Sequence, residues 1–138
     1  MTNKERQCDA LVQQIAVLTR SQWSNYPAEC GHHIIGRANY LWRWRLINIA
    51  PLTIEEHAMC HAGLLDPLAQ WQKNFKFVNK NKLLTHYLTN SNMTRDEFVN
   101  ESLVYLRQVK DDIEHGRVTW DDVIKKEMEK YGTEKITD

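Results

Sequence analysis

The sequence predicts a single α+β domain, mostly helical, that spans residues 1–138. Apolar residues recur at helical spacing near the N-terminus, two short central stretches have strand character, and four helix-start signatures follow them. The length is sufficient for one domain with a hydrophobic core. An apolar content of 42% and a charged content of 26% are those of an ordinary globular protein.

The N-terminal segment is predicted to be a helix over about 3–20, because its apolar residues recur at steps of three and four. Those residues are Cys8, Leu11, Val12, Ile15 and Leu18. A polar stretch that ends at Pro27 then breaks the pattern.

Two strands are predicted next, at about 29–35 and 41–49, with a turn between them. Gly36 and Asn39 both tolerate the positive φ that tight turns require. The second stretch reads LWRWRLINI and partly alternates apolar with polar residues, as a half-buried strand does.

Helix starts are marked by capping signatures. Thr53 and Glu56 form a capping box, in which each side chain can bond the backbone amide of the other. Asp66 and Pro67 suit the N-cap and first helical positions of the next helix. The predicted helices are 54–63, one from Asp66 through Trp71 to Val78, 95–115 and 120–130, so that 66–131 forms a C-terminal helical part.

The cysteines and the N-terminus predict a cytoplasmic protein. The three cysteines have no CxxC spacing, which fits a reducing compartment better than a disulfide framework. The N-terminal segment lacks the basic-then-apolar pattern of a secretory signal. No stretch approaches 18 apolar residues, so no membrane segment is expected.

A group of histidines suggests a metal site. His57 and His61 lie one turn apart on the predicted helix and face the same way, so two imidazoles can share one divalent ion. Residues 30–37 read CGHHIIGR, and His32 or His33 at the end of the facing strand would supply a third nitrogen. Three protein ligands leave positions for water and substrate, as in catalytic sites. Taken alone, an i, i+4 histidine pair is more often an ordinary helix surface.

The order HHIIGR…N…H…H over strand, turn, strand and helix resembles the His-Asn-His (HNH) endonucleases. The ββα-metal motif of that family holds one ion at a phosphodiesterase site. The variant with a doubled histidine and a closing HxxxH is the one found in bacterial DNase toxins and in many small phage nucleases. The resemblance covers about residues 30–61, and it places an HNH core at about 28–63, flanked by the N-terminal helix and the C-terminal helices.

The resemblance implies a role for each matching residue. His32, His57 and His61 would bind the metal ion. His33 would be the general base that takes a proton from the attacking water. Asn48 would hold the hairpin and the base in register through hydrogen bonds.

The resemblance also implies one divalent metal ion. An all-imidazole shell suits Zn²⁺, Ni²⁺ or Co²⁺, whereas many such nucleases use Mg²⁺ or Mn²⁺. Many HNH proteins add a structural zinc held by two CxxC pairs, but Thr53 and Glu56 stand where the second pair would fall, and only Cys30 remains near the first. No structural zinc is therefore expected.

Charge is unevenly distributed although the net charge is zero. Residues 67–95 carry five basic and no acidic side chains, and residues 96–138 have a net charge of −5. The basic segment predicts a phosphate-binding surface, although an ordinary solvated helix face would look the same. The nucleic-acid contacts predicted from this segment and from the motif are Arg37, Arg43, Arg45, Lys73 and Lys76.

The predicted function is that of a phage-like or bacterial HNH endonuclease, a hydrolase that nicks or cleaves duplex DNA. Two alternatives remain open: a non-catalytic nucleic-acid-binding module that keeps the metal for folding, and an RNase or structure-specific recombination nuclease with the same site. A protein partner or a homodimer is also open, because one site cuts one strand. The five tryptophans are interpreted mainly as core residues, with base stacking as the alternative.

Overall fold

The computed structural model describes residues 1–34, 36–38, 40, 42–66, 75–76, 93–131 and 134–135. Within them the chain is a mostly helical α+β fold, as predicted. In chain order the elements are α1 Asn3–Ala16, β1 Cys30–His33, β2 Ile49–Leu52, α2 Ile54–His61, β3 Phe75–Lys76, α3 Arg95–Glu114, α4 Trp120–Tyr131 and β4 Glu134–Lys135. Among the described residues, no helix combines the length and the apolar content needed to cross a bilayer.

The central sheet pairs β1 with β2 in antiparallel register. His32 lies opposite Ala50, and His33 lies opposite Ile49. A second, two-residue pair joins β3 to β4. The predicted helices at 95–115 and 120–130 are confirmed, whereas α1 ends at Ala16 instead of residue 20.

The strand predicted at 41–49 is wrong. Residues 42–44 form a turn, Leu46–Asn48 form a 3₁₀ turn, and the strand that pairs with β1 is 49–52. The apparent alternation in this stretch does not correspond to one buried and one exposed face. Arg45, at a nominally polar position, is only 2% exposed, so apolar and polar side chains alike are enclosed.

The helix predicted from Asp66 to Val78 lies mostly outside the described residues. Where the structure describes that range, at Phe75–Lys76, the backbone is a short strand paired with Glu134–Lys135. This part of the prediction is wrong. The N-cap and first-helical-position preferences of Asp66 and Pro67 are local and do not account for a pairing with the C-terminal residues.

The hydrophobic core lies between α1, α3, α4 and the segment that precedes β2. Trp44 and Leu46 are fully buried there, and the ring of Trp44 lies 5.9 Å from that of Phe98 on α3. Buried residues of α3 recur at steps of three and four, which gives one continuous apolar face. The main core cluster comprises Cys8, Val12, Ile15, Ala16, Trp42, Trp44, Leu46, Ile47, Ile49, Phe98, Val99, Leu103, Leu106, Val109, Val123, Ile124 and Met128.

The capping box at the start of α2 is present as predicted. The Thr53 hydroxyl accepts from the Glu56 amide at 3.2 Å, and the Glu56 carboxylate accepts from the Thr53 amide at 2.8 Å. Ser21 adds a hydrogen bond, donated from its hydroxyl to the same carboxylate at 2.6 Å. The helix that carries His57 and His61 therefore has a start fixed by local sequence and by the loop after α1.

Helix α1 packs against β1 through Gln13 and Gly31. The Gln13 side-chain amide donates to the Gly31 carbonyl at 2.9 Å, and its oxygen accepts from the Gly31 amide at 2.8 Å. A Cβ at position 31 would lie 2.7 Å from the side chain of Ile49 and 3.0 Å from that of Ala16. Glycine at this position therefore allows the close approach of helix and sheet.

Gly31→Ala is expected to destabilise the fold by about 1–3 kcal/mol, the range for overpacking a well-packed interior. The matched control is Gly36→Ala, because no atom lies within 4 Å of a Cβ built there. Urea unfolding would measure both variants. Equal unfolding midpoints for the two variants would contradict the close approach.

Candidate metal centre

Three histidines converge at the junction of β1 and α2. His32 comes from the strand, and His57 and His61 come from the helix one turn apart. One ring nitrogen from each lies within 4.8 Å of the other two, which places the three side chains to hold a single metal ion. The prediction that these residues form one potential metal-binding cluster is confirmed.

The spacing between two of the three rings is close to that of ligands on one ion. The Nε2 atoms of His57 and His61 lie 3.1 Å apart. Two nitrogens bound at ~2.05 Å to one tetrahedral ion would lie roughly 3.3 Å apart. The His32 ring meets the other two edge-on, with centroid distances of 5.1 Å to His57 and 5.6 Å to His61.

The surroundings favour the neutral, ligand-competent form of two of these rings. Burial and the neighbouring His57 and His61 lower the pKa of His32 to about 4. Burial, together with His61, also lowers the pKa of His57 below its usual value. Because a metal ion binds the neutral imidazole, the lone pairs of both rings are available near neutral pH.

The His32 shift predicts a loss of stability in acid for the metal-free protein. The unfolded chain takes up a proton on this ring near pH 6.5, whereas the folded chain does so near pH 4. The unfolded state therefore binds more protons as the pH falls through this window, and the free energy of unfolding decreases. Above pH 6.5 this ring contributes no pH dependence.

Urea midpoints measured in EDTA between pH 7 and pH 4 would test this expectation. His32→Asn is expected to lose less stability over that range than the parent. The control, His115→Asn, replaces an exposed histidine at the C-terminal end of α3 and accounts for the loss of a histidine as such. A His32→Asn slope as steep as the parent's would count against the assignment.

The cluster opens into a cleft of about 480 Å³. Besides the three histidines, its wall includes His33, Gln13 and Arg37. His61 is exposed, whereas His32 and His57 are half-buried, so a bound ion would face the open side. The cleft has room for water and a phosphate group beside the ion.

His33 lies at the end of β1 and lines the same cleft as His32. Adjacent residues of a strand point to opposite faces, but the strand ends at His33 and the chain bends at Ile34. The Nε2 atom of His33 lies 2.9 Å from the carbonyl oxygen of Arg43. Since a carbonyl only accepts, Nε2 is the donor, and Nδ1 carries the lone pair of the neutral ring. Burial lowers the pKa of His33 and so favours that neutral form.

Asn48 is fully buried in the 3₁₀ turn, one residue before β2, and is not on the second strand as predicted. Its side-chain amide donates to the Trp42 carbonyl at 3.1 Å. Its own carbonyl accepts from the Ile34 amide at 2.9 Å, just beyond His33. Asn48 thus bonds Ile34 and Trp42, at two points of the segment between the strands. Its role in the structure is to hold this segment in place.

The predicted phosphate-binding residues have different environments. Arg37 is exposed and lines the cleft. The prediction for Arg45 is wrong, because its side chain is 2% exposed and its guanidinium lies 4.7 Å from the ring centroid of Phe98. The Arg43 side chain is 15% exposed and pairs with Asp9 at 2.6 Å, which removes it from the surface as a free cation. The side chains of Lys73 and Lys76 lie outside the described residues.

The tryptophans are mostly core residues. Trp42 and Trp44 are buried, and Trp120 packs against the core from a partly buried position. Trp23 is 43% exposed, in the loop after α1. Trp71 lies outside the described residues.

The sequence did not indicate two residues that support the site, Gln13 and Asp9. Gln13 bonds the backbone of β1, and Asp9 binds the segment before β2 through Arg43 and Trp44. Neither belongs to a motif, and both lie on α1, at least 18 residues away from their partners. The only local signal for Asp9 is that it directly follows Cys8, a residue of the apolar face of α1.

The geometry thus defines a cleft with three histidines that could hold a metal ion, and with a fourth histidine held beside them by a backbone carbonyl. Comparisons of this chain with models of known protein families, with curated proteins and with solved structures found no match.

Proposed function

We propose that this chain is a metal-dependent endonuclease of the HNH type that hydrolyses DNA phosphodiester bonds. The observation that carries the proposal is the convergence of His32, His57 and His61 from one strand and one helix, with His33 on the wall of the same cleft. The β1–β2 hairpin is followed by α2, and the proposed ligands lie on β1 and α2. This order of elements is compatible with a ββα-metal arrangement.

The three-histidine cluster is the proposed site of the ion. A divalent ion bound there would act as a Lewis acid that neutralises charge on the phosphoryl oxygens and on the leaving 3′ oxygen. Nitrogen ligands suit Zn²⁺, Ni²⁺ or Co²⁺ best, and Mg²⁺ or Mn²⁺ remain alternatives from the family resemblance.

His33 is the proposed general base. Its Nε2–H is donated to the Arg43 carbonyl, so Nδ1 accepts the proton of the attacking water. The imidazolium that forms keeps the same hydrogen bond, and the ring need not reorient during the reaction. The resemblance implies products with 5′-phosphate and 3′-hydroxyl ends.

Arg37 and Asn48 have supporting roles in this proposal. Arg37 is an exposed cation on the cleft wall, which suits it to contact a phosphate next to the one that is cleaved. Asn48 joins the carbonyl of Trp42 to the backbone after His33, and so holds the hairpin around the base.

A catalytic ion fits the structure better than an ion kept only for folding. The main core forms between α1, α3, α4 and the segment before β2, and none of the three histidines is a member of the main core cluster. Three nitrogens also leave coordination positions for water and substrate, whereas structural sites are closed by four ligands.

Plasmid nicking tests the proposed function. The full chain is expected to convert supercoiled plasmid to the open circular form when Mg²⁺, Mn²⁺, Ni²⁺ or Zn²⁺ is added, and to stop when EDTA is in excess. The control variant is His115→Ala, whose exposed side chain is paired with Asp111 near the end of α3. Nicking that persists in EDTA, or no nicking with any of the four ions, would refute the proposal. Parallel reactions with single-stranded DNA, branched DNA and RNA would distinguish the alternative substrates.

A further inference from the structure

We propose that Asp9, which lies outside the metal-binding hairpin, positions His33 by fixing the turn whose carbonyl holds the base. This inference rests on the proposed function. The turn belongs to residues 42–48, hereafter the anchor loop.

Asp9 binds two consecutive residues of the anchor loop. Its carboxylate accepts from Arg43 Nε at 2.9 Å and from Arg43 Nη2 at 2.6 Å, which is a bidentate pair. It also accepts from the indole Nε1 of Trp44 at 2.9 Å. Burial of the carboxyl opposes its ionisation, but the hydrogen bonds from Arg43 and Trp44 hold the pKa of Asp9 below its usual value.

The carbonyl between these two side chains is the one that orients the base. The Arg43 oxygen accepts from His33 Nε2 at 2.9 Å, and this bond selects the tautomer with a free Nδ1 lone pair. Asp9 therefore holds the residues on both sides of the peptide group that sets the direction of the imidazole.

The backbone of the anchor loop alone provides weak support at this point. The turn bond from the Arg43 amide to the Tyr40 carbonyl is long, at 3.4 Å, and the bond from the Arg45 amide to the Trp42 carbonyl, at 3.2 Å, lies at the upper end of the usual range. Towards its C-terminal end, the loop is held by the Glu127 carboxylate, which accepts from the Ile47 amide at 3.1 Å. The Asn48 side chain bonds the Trp42 carbonyl at 3.1 Å, and Asp9 holds the next two residues, where the carbonyl must point at His33.

Loss of Asp9 would release the Arg43 guanidinium and the Trp44 indole from their shared acceptor. The Arg43 carbonyl could then turn away from His33, and the ring would also populate the tautomer with hydrogen on Nδ1. That tautomer cannot accept a proton at Nδ1. The three metal ligands belong to β1 and α2, so we expect metal affinity to be unchanged.

Nitrogen-15 NMR of the imidazole rings tests the positioning directly, in the Zn²⁺-loaded full chain at pH 8. The parent should show His33 as one tautomer, with hydrogen on Nε2, whereas Asp9→Ala should show a mixture. Asp9→Asn keeps an acceptor for Trp44 but loses the ion pair, and it should lie between them. The control Glu5→Gln removes another carboxylate of α1, which pairs with Arg95 at 3.5 Å, and should match the parent.

Plasmid nicking supplies the second measurement. Asp9→Ala should nick about 10- to 100-fold more slowly than the parent at equal Zn²⁺ affinity, as expected for a misplaced catalytic group. A single Nε2–H tautomer in Asp9→Ala would overturn the inference, and the same result in Asp9→Asn would overturn it if the alanine variant does not fold. Mixed tautomers with unchanged nicking would overturn the link to catalysis. If the parent itself does not nick, the proposed function fails, while the tautomer still decides whether Asp9 orients His33.

Discussion

His33→Ala is expected to slow plasmid nicking by ~10²–10⁴-fold, the usual contribution of a positioned general base. The variant removes the proton acceptor but none of the three proposed metal ligands. It also keeps the anchor loop, because Asp9 and Glu127 bind that loop independently of His33. Zn²⁺ affinity, DNA binding and the urea midpoint at pH 8 should therefore remain close to those of the parent.

Single-turnover nicking rates would measure the effect, with Zn²⁺ titrations on the same samples. Added imidazole should restore part of the rate, because the cleft of about 480 Å³ has room for the lost ring. His115→Ala serves as the control for removal of a histidine. If His33→Ala nicks as fast as the parent, His33 is not the base.

His57→Ala is expected to weaken Zn²⁺ binding by more than about 100-fold, since loss of even an outer partner of a metal ligand typically costs ~10–100-fold. His57 lies at the centre of the cluster, with its Nε2 3.1 Å from that of His61 and its ring 5.1 Å from that of His32. The variant keeps only two of the three ring nitrogens, that of His32 on β1 and that of His61 on α2.

The same substitution should remove stabilisation by the metal. At a free Zn²⁺ concentration of about 100 times Kd, one-site binding adds ~2.7 kcal/mol to the free energy of unfolding. The parent and His33→Ala should show this increase, and His57→Ala should not. Calorimetric titration and urea unfolding with and without Zn²⁺ would measure both effects. An equal Zn²⁺ stabilisation of His57→Ala would show that the ion binds elsewhere.

Local sequence determined where several helices start and how the two helical histidines are spaced. The capping box of Thr53 and Glu56 starts α2, and the interval of four residues between His57 and His61 then places both rings on one face. Periodic apolar residues predicted α1, and a further capping signature that begins at Thr94 predicted α3. These features depend on hydrogen bonds and residue spacings within one or two helical turns, so they can be predicted directly from the sequence.

The position of β2 depended on tertiary structure. In LWRWRLINI the sequence suggested a strand with one exposed face, but helices and the hairpin enclose this stretch, including Arg45. The strand begins only at Ile49, where the backbone can pair with His33. Burial of this stretch depends on elements from α1 to α4. A short window of sequence does not contain all of these elements, so it cannot predict the burial.

The sequence by itself thus determined which histidines meet at the candidate site: His32, His33, His57 and His61, in their order along strand and helix. Only the tertiary structure decided how His33 is held, through the Arg43 carbonyl and through Asp9, which lies 34 residues before Arg43. The physical reason is that a side-chain hydrogen bond between distant segments produces no periodic pattern and no characteristic spacing in the amino-acid sequence. Such a bond exists only after packing has brought α1 against the anchor loop.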